Sequence, residues 1–275
     1  MVSGGWNHAV AEKDYIVKKM KFITYATHSE RYYPALISSY ERFSADYVVL
    51  GFGEEWKDYF QKMMSILNYL RESCDPNQIV CIMDGFDSIL TGSPNHMEQK
   101  FKDTGAELIF SSTEFSKLLY PLIWKNTSFV NAGLYIGYAR SIIFLIETIM
   151  DTYDGGYFND QRLFGKWMAK NKNPHYQVDQ ENIFFLNVSK FTPYQYKHPF
   201  AISGPGYANL EPYIDHLGIT FQSTNYQNGH HTAWNRICQG EFSEEFQCII
   251  PIIITILLLI TIIVIPLLAI YYGNE

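Results

Sequence analysis

The chain has 275 residues, of which 47% are hydrophobic and 16% aromatic, and a formal net charge of −7. Its 21 lysine and arginine residues are not clustered, which argues against a nucleic acid as the partner. The length is sufficient for one α/β domain, and the four cysteines show neither a metal-ligand spacing nor a disulfide framework.

Hydrophobic spacing predicts alternating strands and helices between residues 21 and 203. Strands are predicted at residues 21–26, 46–50, 79–83, 107–111, 129–138, 182–186 and 200–203. Helices are predicted at residues 31–43, 57–73, 94–103, 141–152 and 159–171. This alternation predicts an α/β fold with a mainly parallel central sheet and right-handed crossovers.

The first predicted strand is followed by Thr27, His28, Ser29 and Glu30. No glycine-rich dinucleotide fingerprint follows this strand, and the sequence contains no Walker A loop. An NAD-type oxidoreductase, which the same order of strands and helices would fit, is therefore disfavoured.

Two carboxylates follow the predicted strand at residues 79–83. Asp84 comes directly after it and Asp87 three residues later, so both are expected at the carboxyl edge of the sheet, where α/β proteins bind ligands. Carboxylates held this close repel each other, and a divalent cation relieves the repulsion and supplies charge for a diphosphate. Taken alone, a turn or a helix cap explains the pair at least as well, because aspartate is common in both.

Residues 249–272 contain no charged side chain and are rich in Ile and Leu. At about 1.5 Å per residue, a helix of this length crosses a bilayer core roughly 30 Å thick. We therefore predict a membrane-spanning tail anchor there, preceded by a juxtamembrane segment at residues 241–248 and followed by a tail at residues 273–275.

The orientation of this anchor is left open by the sequence. An N-terminal extension at residues 1–20 lacks the apolar core of a signal peptide, which favours a domain that faces the cytosol. Asn126 and Asn187, however, match glycosylation acceptor sequences, which are used only on the lumenal side.

Six motifs occur in order along the predicted domain. They are FITYATH at residues 22–28, GFGEEW at 51–56, IMDGFDSILTGSP at 82–94, ELIFSSTEF at 107–115, FVNAGLYIGYA at 129–139 and NDQRLF at 159–164. In this order and at these separations they resemble the glycosyltransferase domain of the procollagen lysyl hydroxylase/collagen glucosyltransferase family, a Rossmann-like GT-A fold. The resemblance predicts a GT-A-like domain at residues 21–240, in a compact form similar to those of large viruses and lower eukaryotes.

The resemblance implies a binding site for a UDP-sugar donor. Asp84 and Asp87 match the family's acidic motif and would hold Mn²⁺ against the diphosphate. Phe86 stands where the family stacks an aromatic ring on uracil, and Thr27 stands where the family contacts the nucleotide. Trp56 would close the loop beside the nucleotide.

The resemblance also assigns residues to the sugar and acceptor side. Asn131, in an NAG sequence, and the adjacent Asp160 and Gln161 match polar groups that line this side, while Gly204 and Gly206 would line the donor. A carboxylate near the sugar can activate a hydroxyl group, so Asp160 is the predicted acid/base, with Asn131 as its catalytic neighbour. Alternatively, Asn131 satisfies a turn and Asp160 caps its helix.

Two positions near the end of the predicted domain depart from the family. Ser203 stands where the family has a histidine ligand of the metal, and Asn209 where it has a basic residue that grips the diphosphate. A hydroxyl is a weaker metal ligand than an imidazole, and an amide carries no charge. His198, or the pair His230 and His231, could replace the missing ligand or simply lie at the surface.

Two main hypotheses for the function follow. The first is a membrane-anchored, Mn²⁺-dependent transferase that moves a hexose from a UDP-sugar to a hydroxyl acceptor. By resemblance, the acceptor would be hydroxylysine or galactosyl-hydroxylysine of a collagen-like chain, and the location the ER lumen. The second is a nucleotide-sugar-binding or scaffold protein that keeps the fold without turnover, as Ser203 and Asn209 would suggest.

Overall fold

The computed structural model describes residues 18–112, 129–153, 158–188, 198–205 and 208–221, together with the single positions 254, 258, 261 and 262. Several predictions lie outside the described residues, among them those for Gly206, Asn126, His230 and His231. The same holds for the segment at residues 241–248 and for most of the N-terminal extension.

The described part of the chain forms nine strands and six helices. The strands are β1 (Lys21–Tyr25), β2 (Asp46–Leu50), β3 (Ile79–Asp84), β4 (Ser88–Leu90), β5 (Leu108–Ser112), β6 (Val130–Tyr138), β7 (Tyr176–Asp179), β8 (Phe185–Asn187) and β9 (Ala201–Ser203). The helices are α1 (Tyr33–Arg42), α2 (Tyr59–Ser73), α3 (Pro94–Asp103), α4 (Ala139–Thr152), α5 (Asp160–Lys170) and α6 (Glu211–His216). The α/β class predicted from the sequence is confirmed.

Six strands form the central sheet, in the order β2-β1-β3-β6-β5-β7. The pairs β1–β2, β1–β3 and β5–β7 are parallel, but β6 runs antiparallel to both of its neighbours, β3 and β5. The sheet is therefore mainly parallel, as predicted, and the sequence did not indicate that β6 runs in the opposite direction. A strand that is buried on both faces has the same apolar pattern in either direction, so periodicity does not report its direction.

Helices cover both faces of this sheet. Along β3, Val80 and Ile82 pack with α2, α4 and α5, while Cys81 and Met83 pack with α1 and α3 on the other face. This division follows from the alternation of side chains along a strand. The strand is therefore buried on both sides, and only its carboxyl end remains near solvent.

A second, three-stranded sheet has the order β4-β9-β8. β4 and β9 are antiparallel, with Ser88 opposite Ser203. The sequence predicted β8 and β9 as short strands, but it did not predict β4, β7 or the helix α6, because hydrophobic periodicity is unreliable over so few residues. Asn187 in β8 is 1% exposed and donates to the Ser112 carbonyl at 2.5 Å, so the asparagine of this glycosylation acceptor sequence is buried.

The predicted membrane anchor receives no support from the structure. In the described part of the chain, no helix combines the length and the apolar character needed to cross a bilayer. Apart from positions 254, 258, 261 and 262, the segment at residues 249–272 lies outside that part, so the anchor stays a prediction.

Candidate active site

The acidic pair lies in the turn that connects β3 to β4. Asp84 is the last residue of β3, and Gly85 and Phe86 separate it from Asp87. A Cβ atom at position 85 would lie 2.8 Å from the Cβ of Ala26, so glycine is needed for the turn to pack against β1. A strand rather than a helix follows the turn, which excludes the helix-cap interpretation of the pair.

Lys62 of α2 connects the acidic pair to α5. Its Nζ lies 2.5 Å from Asp84 Oδ1 and 3.3 Å from Asp160 Oδ2. Burial alone would lower the pKa of Lys62, but the attraction of the two carboxylates raises this pKa well above its usual value. The two carboxylates therefore favour the charged form of Lys62, which lies between two elements of the candidate site.

Asp160 is a buried carboxylate at the start of α5, with 7% exposure. It does not cap the helix, because Asn159 does so by accepting a hydrogen bond from the Arg162 backbone N–H at 2.9 Å. Asp160 Oδ1 instead accepts from the Gln161 N–H at 2.8 Å. Burial raises the pKa of Asp160, and the positive charge of Lys62 opposes this rise.

β6 approaches the acidic pair through a β-bulge. Its register with β5 shifts between Phe110, which is opposite Tyr135, and Ser111, which is opposite Asn131. Bulges redirect side chains and are frequent beside active sites. Asn131 therefore lies in an irregular part of a strand, and the turn interpretation of its NAG sequence is wrong.

The bulge brings Asn131 and Gly133 into the candidate site. Asn131 Oδ1 accepts from the Gly133 N–H at 2.8 Å, and Asn131 Nδ2 donates to Gln161 Oε1 at 3.5 Å. A Cβ atom at position 133 would lie only 2.6 Å from Asp84 Oδ2. Position 133 therefore leaves room for the Asp84 carboxyl group only because glycine has no side chain.

The surroundings of Asp87 disfavour the ionised form of its carboxyl group. Burial and the negative charge of Asp84 raise the pKa of Asp87 to about 7, against the opposing effects of Arg31, Lys62 and a hydrogen bond from Ser203. Its Oδ1 is buried and has no hydrogen-bond partner among the described residues. A cation would satisfy this oxygen and relieve the repulsion between the two aspartates.

The residues present fit a divalent cation with an incomplete set of protein ligands. Asp84 and Asp87 provide carboxylates, and Ser203 provides a neighbouring hydroxyl oxygen. Across the described ranges, no three His, Cys, Asp or Glu side chains cluster as a metal site would require, and His198 is exposed. Mg²⁺ and Mn²⁺ suit such a site, because they accept oxygen ligands and fill the remaining positions with water or phosphate.

The residues predicted to contact the nucleotide lie where the segment after β1 meets the acidic turn: Thr27 follows β1, and Phe86 belongs to the turn. The hydroxyl group of Thr27 is 2.9 Å from His28 Nδ1, and His28 Nε2 is 2.8 Å from a carboxylate oxygen of Glu30. The ring of His28 lies 5.2 Å from the ring of Phe86, measured between centroids. Two aromatic rings thus lie together next to the acidic turn.

Trp56 lies on a neighbouring loop, after β2. It is 37% exposed, and its ring is 5.9 Å from that of Tyr25 and 5.4 Å from that of Tyr59. The loop starts at Gly51, whose φ of +75° places it in the left-handed region that glycine tolerates. Trp56 therefore contacts the last residue of β1, one strand away from the acidic pair.

The positions that depart from the family have different surroundings. Ser203 is 1% exposed and is hydrogen-bonded to Asp87, and the N–H of the adjacent Gly204 donates to the Asp87 carbonyl at 2.7 Å. Asn209 is exposed, and its Oδ1 accepts from the Tyr32 hydroxyl at 3.2 Å and from the Glu211 N–H at 2.8 Å. Ser203 is thus part of the acidic turn, whereas Asn209 is engaged at the start of α6.

Two charged residues of the site were not identified from the sequence. Lys62 shares the buried face of α2 with Ile66 and Leu70. A lysine on an apolar helix face indicates a buried, paired charge, so Lys62 could have been identified from the sequence. Arg31 has a φ of +49°, which nothing in the sequence indicates. Both cations favour the ionised form of Asp87.

Comparisons with known proteins agree on one family. The family model described as "PLOD GT domain" matches residues 16–193. Procollagen-lysine,2-oxoglutarate 5-dioxygenase of Drosophila melanogaster is 33% identical over 164 residues, covering 54% of this chain and 22% of the relative. Multifunctional procollagen lysine hydroxylase and glycosyltransferase LH3 of Homo sapiens is 30% identical over 140 residues, covering 46% of this chain and 19% of the relative. The chain thus spans only about a fifth of the length of these relatives.

Proposed function

The chain belongs to the PLOD GT domain family, and on that basis we propose that it is a metal-dependent glycosyltransferase. In this proposal it moves a hexose from a UDP-sugar to a hydroxyl acceptor. The family match, the relative named as a glycosyltransferase and the α/β fold support the glycosyltransferase domain itself.

One observation carries the proposal: the carboxyl groups of Asp84 and Asp87 lie together at the carboxyl end of β3, where burial and the negative charge of Asp84 raise the pKa of Asp87. A buried oxygen of Asp87 has no hydrogen-bond partner among the described residues. A divalent cation would satisfy this oxygen, relieve the repulsion between the two aspartates and attract a diphosphate.

Asp84 and Asp87 are the proposed ligands of Mn²⁺. When bound there, the cation would supply positive charge that stabilises the departing UDP. Phe86 would stack on uracil, as a phenyl ring can, and the neighbouring Thr27 would contact the nucleotide. Trp56 would close the nucleotide site from the loop after β2.

Asp160 is the proposed acid/base for the acceptor hydroxyl. Burial raises its pKa, and a base of higher pKa accepts a proton more readily near neutral pH. Lys62 would hold the carboxylate in place. Asn131 and Gln161, which contact each other beside Asp160, would orient the sugar, and Gly204 and Gly206 would line the donor.

The acceptor is proposed from the relatives alone. Their names refer to procollagen lysine hydroxylation and, in one case, to glycosyl transfer. Hydroxylysine or galactosyl-hydroxylysine in a collagen-like chain is therefore the proposed acceptor class.

A non-catalytic nucleotide-sugar-binding protein is the second candidate. The observation in its favour is Ser203, whose hydroxyl lies beside Asp87 where the resemblance implies an imidazole ligand. A protein of this kind would bind UDP with Mn²⁺ and release none from a UDP-sugar.

UDP release by the whole chain tests the proposal against this candidate. A panel of UDP-hexoses would be assayed with and without Mn²⁺ and a galactosyl-hydroxylysine peptide. We expect release from one donor that depends on the metal and is lost in the Asp84→Ala/Asp87→Ala variant. Binding of UDP without release from any donor would favour the second candidate.

The raised pKa of Asp87 predicts a pH-dependent stability. Because this pKa is about 7 in the folded protein and about 4 in an unfolded chain, the protonated form stabilises the fold at low pH. In metal-free buffer, the free energy of unfolding should fall by at most about 1.4 kcal/mol per pH unit as pH rises through this window. The free energy of unfolding of Asp87→Asn, measured with urea, should decline less over this pH range than that of the wild-type protein. Identical pH profiles for the variant and the wild-type protein would refute the prediction.

Membrane attachment through residues 249–272 remains a separate proposal. It is supported only by the uncharged, Ile- and Leu-rich composition of this segment. Retention of the whole chain in membranes after alkaline carbonate extraction is expected, and release into the supernatant would contradict it.

A further inference from the structure

Arg31 adopts a backbone conformation that is uncommon for its residue type. Its φ of +49° lies in the left-handed region, which residues other than glycine, asparagine and aspartate seldom occupy. Such conformations persist where surrounding contacts enforce them, and they concentrate at binding and catalytic sites. Arg31 follows β1 by six residues and directly precedes Tyr32, the residue before α1.

Contacts of Tyr32 fix the segment on two sides. The Tyr32 N–H donates to the Phe86 carbonyl at 3.2 Å, which attaches the segment to the acidic turn. The Tyr32 hydroxyl donates to Asn209 Oδ1 at 3.2 Å and accepts from the Leu210 N–H at 3.1 Å. The guanidinium carbon of Arg31 lies 5.7 Å from the centroid of the Tyr32 ring, within the range of a cation–π contact.

Arg31 lies next to the acidic turn, because the N–H of the following residue, Tyr32, donates to the Phe86 carbonyl at 3.2 Å. The positive charge of Arg31, like that of Lys62, also favours the ionised form of Asp87. Lys62 is buried and already paired with both Asp84 and Asp160. Arg31 is only half-buried, so it is the more solvent-accessible of the two residues.

We propose that Arg31 binds the diphosphate of the nucleotide ligand at the acidic turn. This inference rests on the proposed function, because it assumes that a UDP-sugar or UDP enters the site. The planar guanidinium matches phosphate oxygens with two parallel hydrogen bonds, which a lysine cannot provide. Asn209, which Tyr32 connects to the same segment, has no charge to contribute.

Calorimetric titration of the whole chain with UDP and with uridine, both with Mn²⁺ present, tests this inference. Arg31→Gly removes the guanidinium and suits the left-handed backbone, so the variant should melt at the same temperature or higher. We expect UDP to bind this variant about 10- to 100-fold more weakly, while the affinity for uridine changes by less than about twofold. Arg31→Lys should bind UDP with an affinity between those of the wild-type protein and Arg31→Gly. Arg42→Ala, at the exposed end of α1, serves as the control.

The titrations with UDP and uridine can contradict the proposed role of Arg31 in three distinguishable ways. If wild-type protein binds UDP and Arg31→Gly binds it equally well, the inference about Arg31 is wrong while the proposed function stands. If uridine and UDP lose affinity to the same extent, Arg31 supports the nucleoside pocket and does not contact the diphosphate. If wild-type protein does not bind UDP at all, both the inference and the proposed function are overturned.

Discussion

Replacement of Lys62 by methionine is expected to lower the free energy of unfolding by about 3 kcal/mol. The variant keeps most of the length of the side chain but leaves Asp84 and Asp160 without the ammonium group that now lies 2.5 Å and 3.3 Å from them. Asp160 is 7% exposed, so in the variant its charge would be unpaired and solvent could stabilise it only slightly. Urea unfolding monitored by circular dichroism would measure the difference.

The exposed pair Lys102–Glu98 provides a matched control. These side chains lie 2.6 Å apart on α3, and the Lys102 side chain is 43% exposed. Lys102→Met should therefore cost only about 0.5 kcal/mol. The Lys62→Met/Asp160→Asn double variant should recover part of the loss, since the uncompensated charge is removed. Equal costs for Lys62→Met and Lys102→Met would show that the buried ion pairs do not stabilise the fold.

Replacement of Asp160 by asparagine is expected to lower the kcat of UDP release by about 10²- to 10⁴-fold. Asparagine has nearly the same shape but cannot accept the proton of an acceptor hydroxyl. The hydrogen bond that Asp160 Oδ1 accepts from the Gln161 N–H can be kept by the amide oxygen. The affinity for UDP in the presence of Mn²⁺ should change by less than about twofold, because the proposed cation ligands are untouched.

Asp58→Asn is the appropriate control for this experiment. Asp58 also stands at the start of a helix, where it caps α2 by accepting from the Gln61 N–H at 2.8 Å, and asparagine caps a helix equally well. This variant should retain its turnover. Turnover by Asp160→Asn within a few-fold of the wild-type rate would remove Asp160 from the proposed chemistry.

The acidic turn could be predicted because its signals are local. A short apolar run that ends in Asp84 identifies both the strand and its carboxyl end without knowledge of the rest of the fold. The same holds for Asp160, which opens an amphipathic helix directly after the N-cap Asn159. For these residues, the order along the chain was sufficient to name the element on which each one lies.

The remainder of the site depends on contacts that are distant in the sequence. The ion pair of Lys62 with Asp160 joins residues that are 98 positions apart, so periodicity indicates a buried lysine but not its partners. The bulge that places Asn131 exists only because β6 pairs with β5 in a shifted register. Ser203 lies beside Asp87 because β9 pairs with β4, a strand of three residues that was not predicted from the sequence.

Calorimetric titration of UDP into the whole chain with and without Mn²⁺ tests the proposed metal site most directly. We expect Mn²⁺ to tighten UDP binding about tenfold or more, a gain of roughly 1.4 kcal/mol per factor of ten. The Asp84→Asn/Asp87→Asn variant should lose this gain and keep its fold. UDP affinity that is unchanged by Mn²⁺ in the wild-type protein would contradict the assignment of a metal-dependent nucleotide-sugar site to the acidic turn.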